Sequence, residues 1–512
     1  MAIVATAVLG ALPIGLIATS RAAGAADASV ADAASAKAAT AGTLSLGFEF
    51  SSVNFNPWEA PNGDNASLQL SGAVYDSLTQ LVGTKVAPDL ATSWSFTTPT
   101  TLVIHLRPGV TFSDGTPLNA AAVKANFDYA KTASPAGQLA PAFAGSTSTV
   151  VNATTLQLTL PAPNPDLPYD LATGGGFIVN PKALANPGQL TTTPNGSGPY
   201  TLSTSASVPG QQYTFVKKAS YWNAKSYPYG TIVLKIFASP QAQDDALRSG
   251  QIQGASVTPT SALTDQSSTV RIRQGPKNGL IGIWLTDRAG TINKALGNVK
   301  VRQAFNYAIN RPAIIKAAGG GYSAPGSLVV APGEPGYTAK AASLYTYNPS
   351  KAKKLLAAAG YPHGFTLQLL STPSGDTLVQ ATAGYLRAVG INVQISDHST
   401  DFVTQALSGK WAALVFEWGT TPSVTSLSGL ISPTGIGNPN HSTDPTIDAL
   451  LTKTETTTGA PQSAAIDGLV SAINQQGWFL LAGYSELLYA TSATVTCGIS
   501  SGCPLSTFRP AR

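Results

Sequence analysis

Residues 348–395 carry the punctuation of a strand–helix–strand fold, and this constrains the chain more than any other stretch. Asn348 is placed to cap a helix with Pro349 at its first turn. Ala352, Leu355, Leu356 and Ala359 then fall on one helical face, and Gly360 stops the run. The alternating segment Phe365-Thr366-Leu367-Gln368-Leu369-Leu370 reads as a strand. A helix-like stretch around Tyr385 to Ala388 follows, and then a second strand, Ile391-Asn392-Val393-Gln394-Ile395. This is the βαβ grammar of an α/β domain. Upstream, residues 101–106 and 155–160 alternate as strands. Asn119 can cap a helix carrying Val123 and Phe127 on one face. Val301, Ala304, Phe305, Ala308 and Ile309 form another apolar stripe, which Pro312 is expected to interrupt. No repeat of fixed period is visible, which argues against solenoids and propellers.

At 512 residues the chain exceeds one hydrophobic core and has material for two or three domains. Charged residues are only 11%, roughly half the usual share, so Gly, Ala, Ser and Thr must provide much of the surface. Hydrophobic residues at 43% exclude a disordered chain. The net charge of +5 is spread without a Lys/Arg block, so no nucleic-acid partner is expected.

The run from Ala2 to Ile17 is apolar, broken by Gly10, Pro13 and Gly15, and followed by Ala23-Gly24-Ala25. It is shorter than the roughly 20 residues a bilayer span needs and ends in an A-x-A-like cleavage pattern. Residues 1–26 therefore read as a signal peptide and 27–42 as an Ala-rich, disordered tether. No Lys or Arg precedes the apolar run, so an uncleaved anchor or a misplaced start remain alternatives. Cys497 and Cys503 are the only cysteines, and in an exported chain they are expected to form one disulfide pinning the tail. Neither is placed for lipidation, so an extracellular, periplasmic or cell-envelope protein is expected.

Several ordered motifs resemble the extracellular solute-binding proteins of the peptide/nickel type, components of ABC importers. Residues 75–78 and 87–94, followed by Leu106-Arg107-Pro108-Gly109-Val110-Thr111-Phe112-Ser113-Asp114-Gly115-Thr116-Pro117-Leu118, carry the first part. Gly196-Ser197-Gly198-Pro199-Tyr200, Ala246-Leu247-Arg248-Ser249-Gly250, residues 299–311, residues 351–364, Gly390-Ile391 and residues 448–451 continue it in family order. Most of these are turn and packing motifs: Asp114-Gly115-Thr116-Pro117 reads as a turn, and Tyr75-Asp76 as packing and capping. The resemblance implies a two-lobed α/β fold of the type II periplasmic-binding-protein kind, with an extra subdomain in the first lobe. Its implied boundaries are 43–274 for lobe I, with 71–193 peripheral, 275–483 for lobe II, and 484–512 returning to lobe I. It further implies capture of a small molecule or peptide by lobe closure and delivery to permease subunits in the membrane. A monomer with no cofactor and no metal site is expected. A receptor of the same fold not coupled to import is the alternative.

The resemblance places Phe416, Glu417, Trp418 and Thr420 at the loop entering the cleft, where peptide binders carry a Trp followed by an Asp for the ligand amine. Here Thr420, Thr421 and Ser423 stand where that acid is expected. A hydroxyl does not compensate a buried ammonium, so a sugar or an N-blocked peptide suits this wall better. Glu417 is the alternative acid, although strand alternation can turn it away from Trp418. Trp284 is a second candidate, with core packing as its plain reading. Phe50, Asn54 and Trp58 are candidates on the segment after the first strand.

A secreted hydrolase is the second alternative, and it has little to stand on. None of the four histidines, His105, His363, His398 and His441, sits at metal-motif spacing, although His441 in its loop is a conceivable nickel contact. Gly498-Ile499-Ser500-Ser501-Gly502 spells G-x-S-x-G, but between the two cysteines and not on a strand-to-helix elbow.

Overall fold

A computed structural model describes residues 42–48, 54–59, 65–83, 85–133, 143–318, 321–372, 376–398, 401–419, 424–500 and 502–511. The expected signal peptide and nearly all of the tether lie outside them. Among the described residues no helix is long and apolar enough to cross a membrane.

The βαβ unit forms as its punctuation predicts. Asn348 accepts from the Lys351 amide at 2.9 Å and caps the helix Pro349–Ala358, and Gly360 adopts φ 90° just beyond it. The strands Phe365–Ser371 and Ile391–Asp397 pair in parallel with Phe365 opposite Ile391, joined by the helix Asp376–Arg387. Asn119 likewise caps Ala120–Ala130 through the Ala122 amide. Pro312 differs from expectation. The helix Val299–Ala308 has already ended, and Pro312 lies in the first turn of a new helix, Arg311–Ala318, where its missing N–H costs nothing.

Two large sheets organise the molecule. A seven-stranded sheet takes its strands in the order Val270–Gln274, Leu488–Ser492, Gly254–Ser256, Thr43–Phe48, Thr231–Ile236, Gln212–Lys217, Tyr200–Val208. A six-stranded sheet runs Ala324–Pro325, Phe479–Ser485, Gly279–Leu285, Ala413–Gly419, Phe365–Ser371, Ile391–Asp397. The antiparallel strands Ala91–Thr98, Thr101–Leu106, Thr155–Thr159 and Thr147–Asn152 make a separate four-stranded sheet.

Each large sheet has its own core. One cluster draws only on residues between Leu280 and Tyr484. The other joins residues between Leu44 and Leu234 to Tyr489, Val495, Cys503, Leu505 and Phe508. The chain thus leaves the first sheet after Gln274, enters the second at Gly279, and returns between Ser485 and Leu488. The two crossings touch. The Gly275 amide donates to the Leu487 carbonyl at 2.8 Å, and Lys277 lies 3.7 Å from Glu486.

Cys497 and Cys503 form a disulfide, and the Cys503 carbonyl accepts from the Gln69 amide nitrogen at 2.7 Å, tying the tail to the first core. So short a closed loop removes little unfolded-state entropy, and reduction is expected to cost about 2 kcal/mol or less. Melting curves with and without a phosphine reductant check this.

Candidate ligand cleft

The strand Ala413–Gly419 lies beside Gly279–Leu285, so its end stands next to both chain crossings. Alternation separates its side chains, as strand geometry requires. The Glu417 carboxylate accepts from the Ser485 hydroxyl above Gly279, and desolvation pushes its pKa above the ordinary carboxylate value. Trp418 takes the other face. Its indole N–H donates to Ser426 at 3.2 Å, and its ring lies 5.9 Å from that of Trp284. Trp418 is half-buried, whereas Trp284 is 2% exposed and packs edge-on against Phe479 at 5.5 Å. Phe416 occupies a strand position opposite Gly282. Thr420 and Phe50 lie outside the described residues.

Trp58 and Asn54 belong to the first core's side. Trp58 is 2% exposed and donates to Asn126 at 3.0 Å, and Asn126 also holds both the Val179 amide and its carbonyl. Asn54 accepts from the Asn56 amide at 2.8 Å, a local turn bond. Trp58 is therefore part of a buried network, and Trp284 and Trp418 form the one aromatic pair among the described candidates.

Sequence reasoning missed a charged group that joins the two halves far from the crossings, where Tyr322 of the second half packs with Ala262 and Leu488 of the first. Asp166, in the first half, accepts from the amide of Val424 and is also hydrogen-bonded by that of Thr425, at the start of the helix Val424–Ile431 in the second. Burial raises the Asp166 pKa to about 6 against the pull of those two amides. Asp170 beside it is pushed to about 7, by burial first and then by the Asp166 charge, with Asn164 opposing. Tyr169 lies in the field of Glu334 from the second half, as well as of Asp170 and Asp166. Among the described residues neither aspartate has an ion-pair partner. In sequence, Asn164-Pro165-Asp166 offers only a turn signal.

The description of bacterial extracellular solute-binding proteins, family 5 (middle region), matches residues 85–438. The glutathione-binding protein GsiB of Escherichia coli O1:K1 is 32% identical over 370 residues, covering 69% of this chain and 68% of GsiB. The chain belongs to solute-binding protein family 5. Solved structures agree on the fold of this family 5 protein. The ABC transporter substrate-binding protein CtaP of Listeria monocytogenes superposes with TM-score 0.81 at 20% identity, over 92% of this chain and 99% of CtaP. The periplasmic binding protein DppA of Helicobacter pylori, in complex with peptide STSA, gives 0.73 at 19% identity, over 92% and 98%. The fold is thus the two-lobed α/β fold of periplasmic binding proteins. This family 5 chain is a bacterial extracellular solute-binding protein.

The remaining motifs stay structural. Among the described residues no three His, Cys, Asp or Glu side chains are grouped to hold a metal. The His441 ring donates from Nδ1 to the Pro433 carbonyl at 2.6 Å within its own loop, and His105 lies 3.3 Å from Thr155 across a strand pair. The Ser500 amide bonds Gly502 inside the disulfide loop.

Proposed function

We propose that this protein captures a peptide-like solute between its lobes and passes it unchanged to the permease subunits of an importer. The observation that carries this reading is the Trp418 strand, set beside both chain crossings with an aromatic partner behind it. Closure about the crossings brings the other lobe onto that wall, and a ligand touching both lobes favours the closed state. GsiB binds glutathione and the DppA structure holds a tetrapeptide, which favours peptides over sugars. The lobes follow the sheets: residues 43–274 with 484–512, and 275–483, with 71–193 peripheral. The strand Phe479–Ser485 runs slightly past that return, so the hinge proper is best placed at 275–278 and 486–487. A monomer that catalyses nothing and is exported by cleavage near residue 26 completes the proposal.

Thermal shifts against glutathione, free and N-acetylated peptides and neutral oligosaccharides test the ligand class. At 100 times its Kd a ligand adds about 2.7 kcal/mol of stability. A shift with peptides that Trp418→Ala abolishes is expected. A shift with oligosaccharides alone, or one that survives Trp418→Ala, contradicts the proposal.

A further inference from the structure

The hydrogen bond from Val424 to Asp166 joins two separate cores. Asp166 directly precedes Leu167, which lies in the first core, and Val424 lies in the second. No chain connection holds these segments together, and the two crossings are elsewhere, at residues 275–278 and 486–487. The helix Val424–Ile431 carries no charged residue of its own, and its Ser428 donates to Glu455 at 2.7 Å on the neighbouring helix Pro445–Thr456. Its first amides need acceptors from elsewhere, and Asp166 supplies them from the opposite lobe.

We propose that Asp166 is the positioning residue that shuts the cleft: its carboxyl group caps the helix after the Trp418 strand only when the lobes meet. Burial of that group on closure makes closure respond to pH. The proposal rests on lobe closure as the capture step, but not on which solute is captured.

The direction follows from linkage. In the shut state the Asp166 pKa is raised to about 6, because burial outweighs the two amides. Released to water it returns to roughly 4. A carboxyl group whose pKa is higher in the closed state binds more proton there, so closure is favoured as pH falls and disfavoured as pH rises through 6. Two pKa units correspond to roughly a hundredfold change in the ratio of closed to open molecules between neutral pH and pH below about 4. Around Asp166 stand Asn164, Tyr169 and Asp170 on its own segment and the uncharged helix with Glu455 behind it, while Glu334 across the cleft acts on Tyr169. Desolvation alone raises the Asp166 pKa, and the two amides oppose it.

Small-angle scattering of the ligand-free full chain between about pH 7.5 and about pH 4.5 tests this without any solute, so a failed ligand assignment leaves it intact. The wild type is expected to contract as pH falls. Asp166→Asn keeps an oxygen acceptor without the charge, and is expected to be compact at both ends of the range. Asp166→Ala loses the contact and is expected to stay expanded throughout. Asp170→Asn removes the neighbouring charge but not the contact, and keeps the direction of the wild-type change. A wild-type radius of gyration that does not move, or an Asp166→Asn protein that follows the wild-type profile, overturns the proposal. Should Asp166→Ala fail to fold, the comparison of wild type with Asp166→Asn decides alone.

Discussion

Trp284→Ala is expected to lower the unfolding free energy by about 3–5 kcal/mol, the range for truncating a large aromatic in a packed core. The ring is 2% exposed, packs edge-on against Phe479 and backs Trp418. Its strand, Gly279–Leu285, pairs with Ala413–Gly419 on one side and Phe479–Ser485 on the other, so the vacated space has no loop into which to collapse. Urea unfolding monitored by far-UV circular dichroism measures the loss. A cost below about 1 kcal/mol would mean that Trp284 is a replaceable wall of the cleft instead of a core residue.

Gly364→Ala is the second large effect. Gly364 adopts φ +76°, a conformation that L side chains rarely take, and an added Cβ would stand 1.7 Å from the Gly390 carbonyl oxygen. The two glycines open the parallel strands Phe365–Ser371 and Ile391–Asp397, so relief requires their register to shift. A loss of at least about 3 kcal/mol is expected, combining the left-handed penalty with the clash. An unfolding midpoint within error of wild type would show that the strand ends are free to part.

Much of this fold was legible before any coordinates. Asn348, Pro349 and Gly360 bracket a helix because capping and helix termination are local, set by side chains within a few residues. Strand alternation at residues 101–106 and 391–395 reports a sheet face for the same reason. Pro312 was misread because one proline can end a helix or begin the next, and only the break at Ile309 distinguishes them. The site was harder. Trp284 and Trp418 are similar in sequence context, yet one lies in a central strand covered on both sides and the other near a strand end. Burial depends on which strands become neighbours, and these are distant in sequence. Asp166 was invisible for that reason: its partner, the Val424 amide, is 258 residues away and carries no side-chain signal.

The most direct test of the central claim is titration calorimetry of the purified chain with the peptide giving the largest thermal shift, followed by mass spectrometry of the recovered peptide. The account predicts one peptide bound per chain, a negative heat-capacity change from apolar surface buried on closure, and a peptide returned intact. A cleaved or modified peptide, or no saturable binding by any peptide tested, would contradict it.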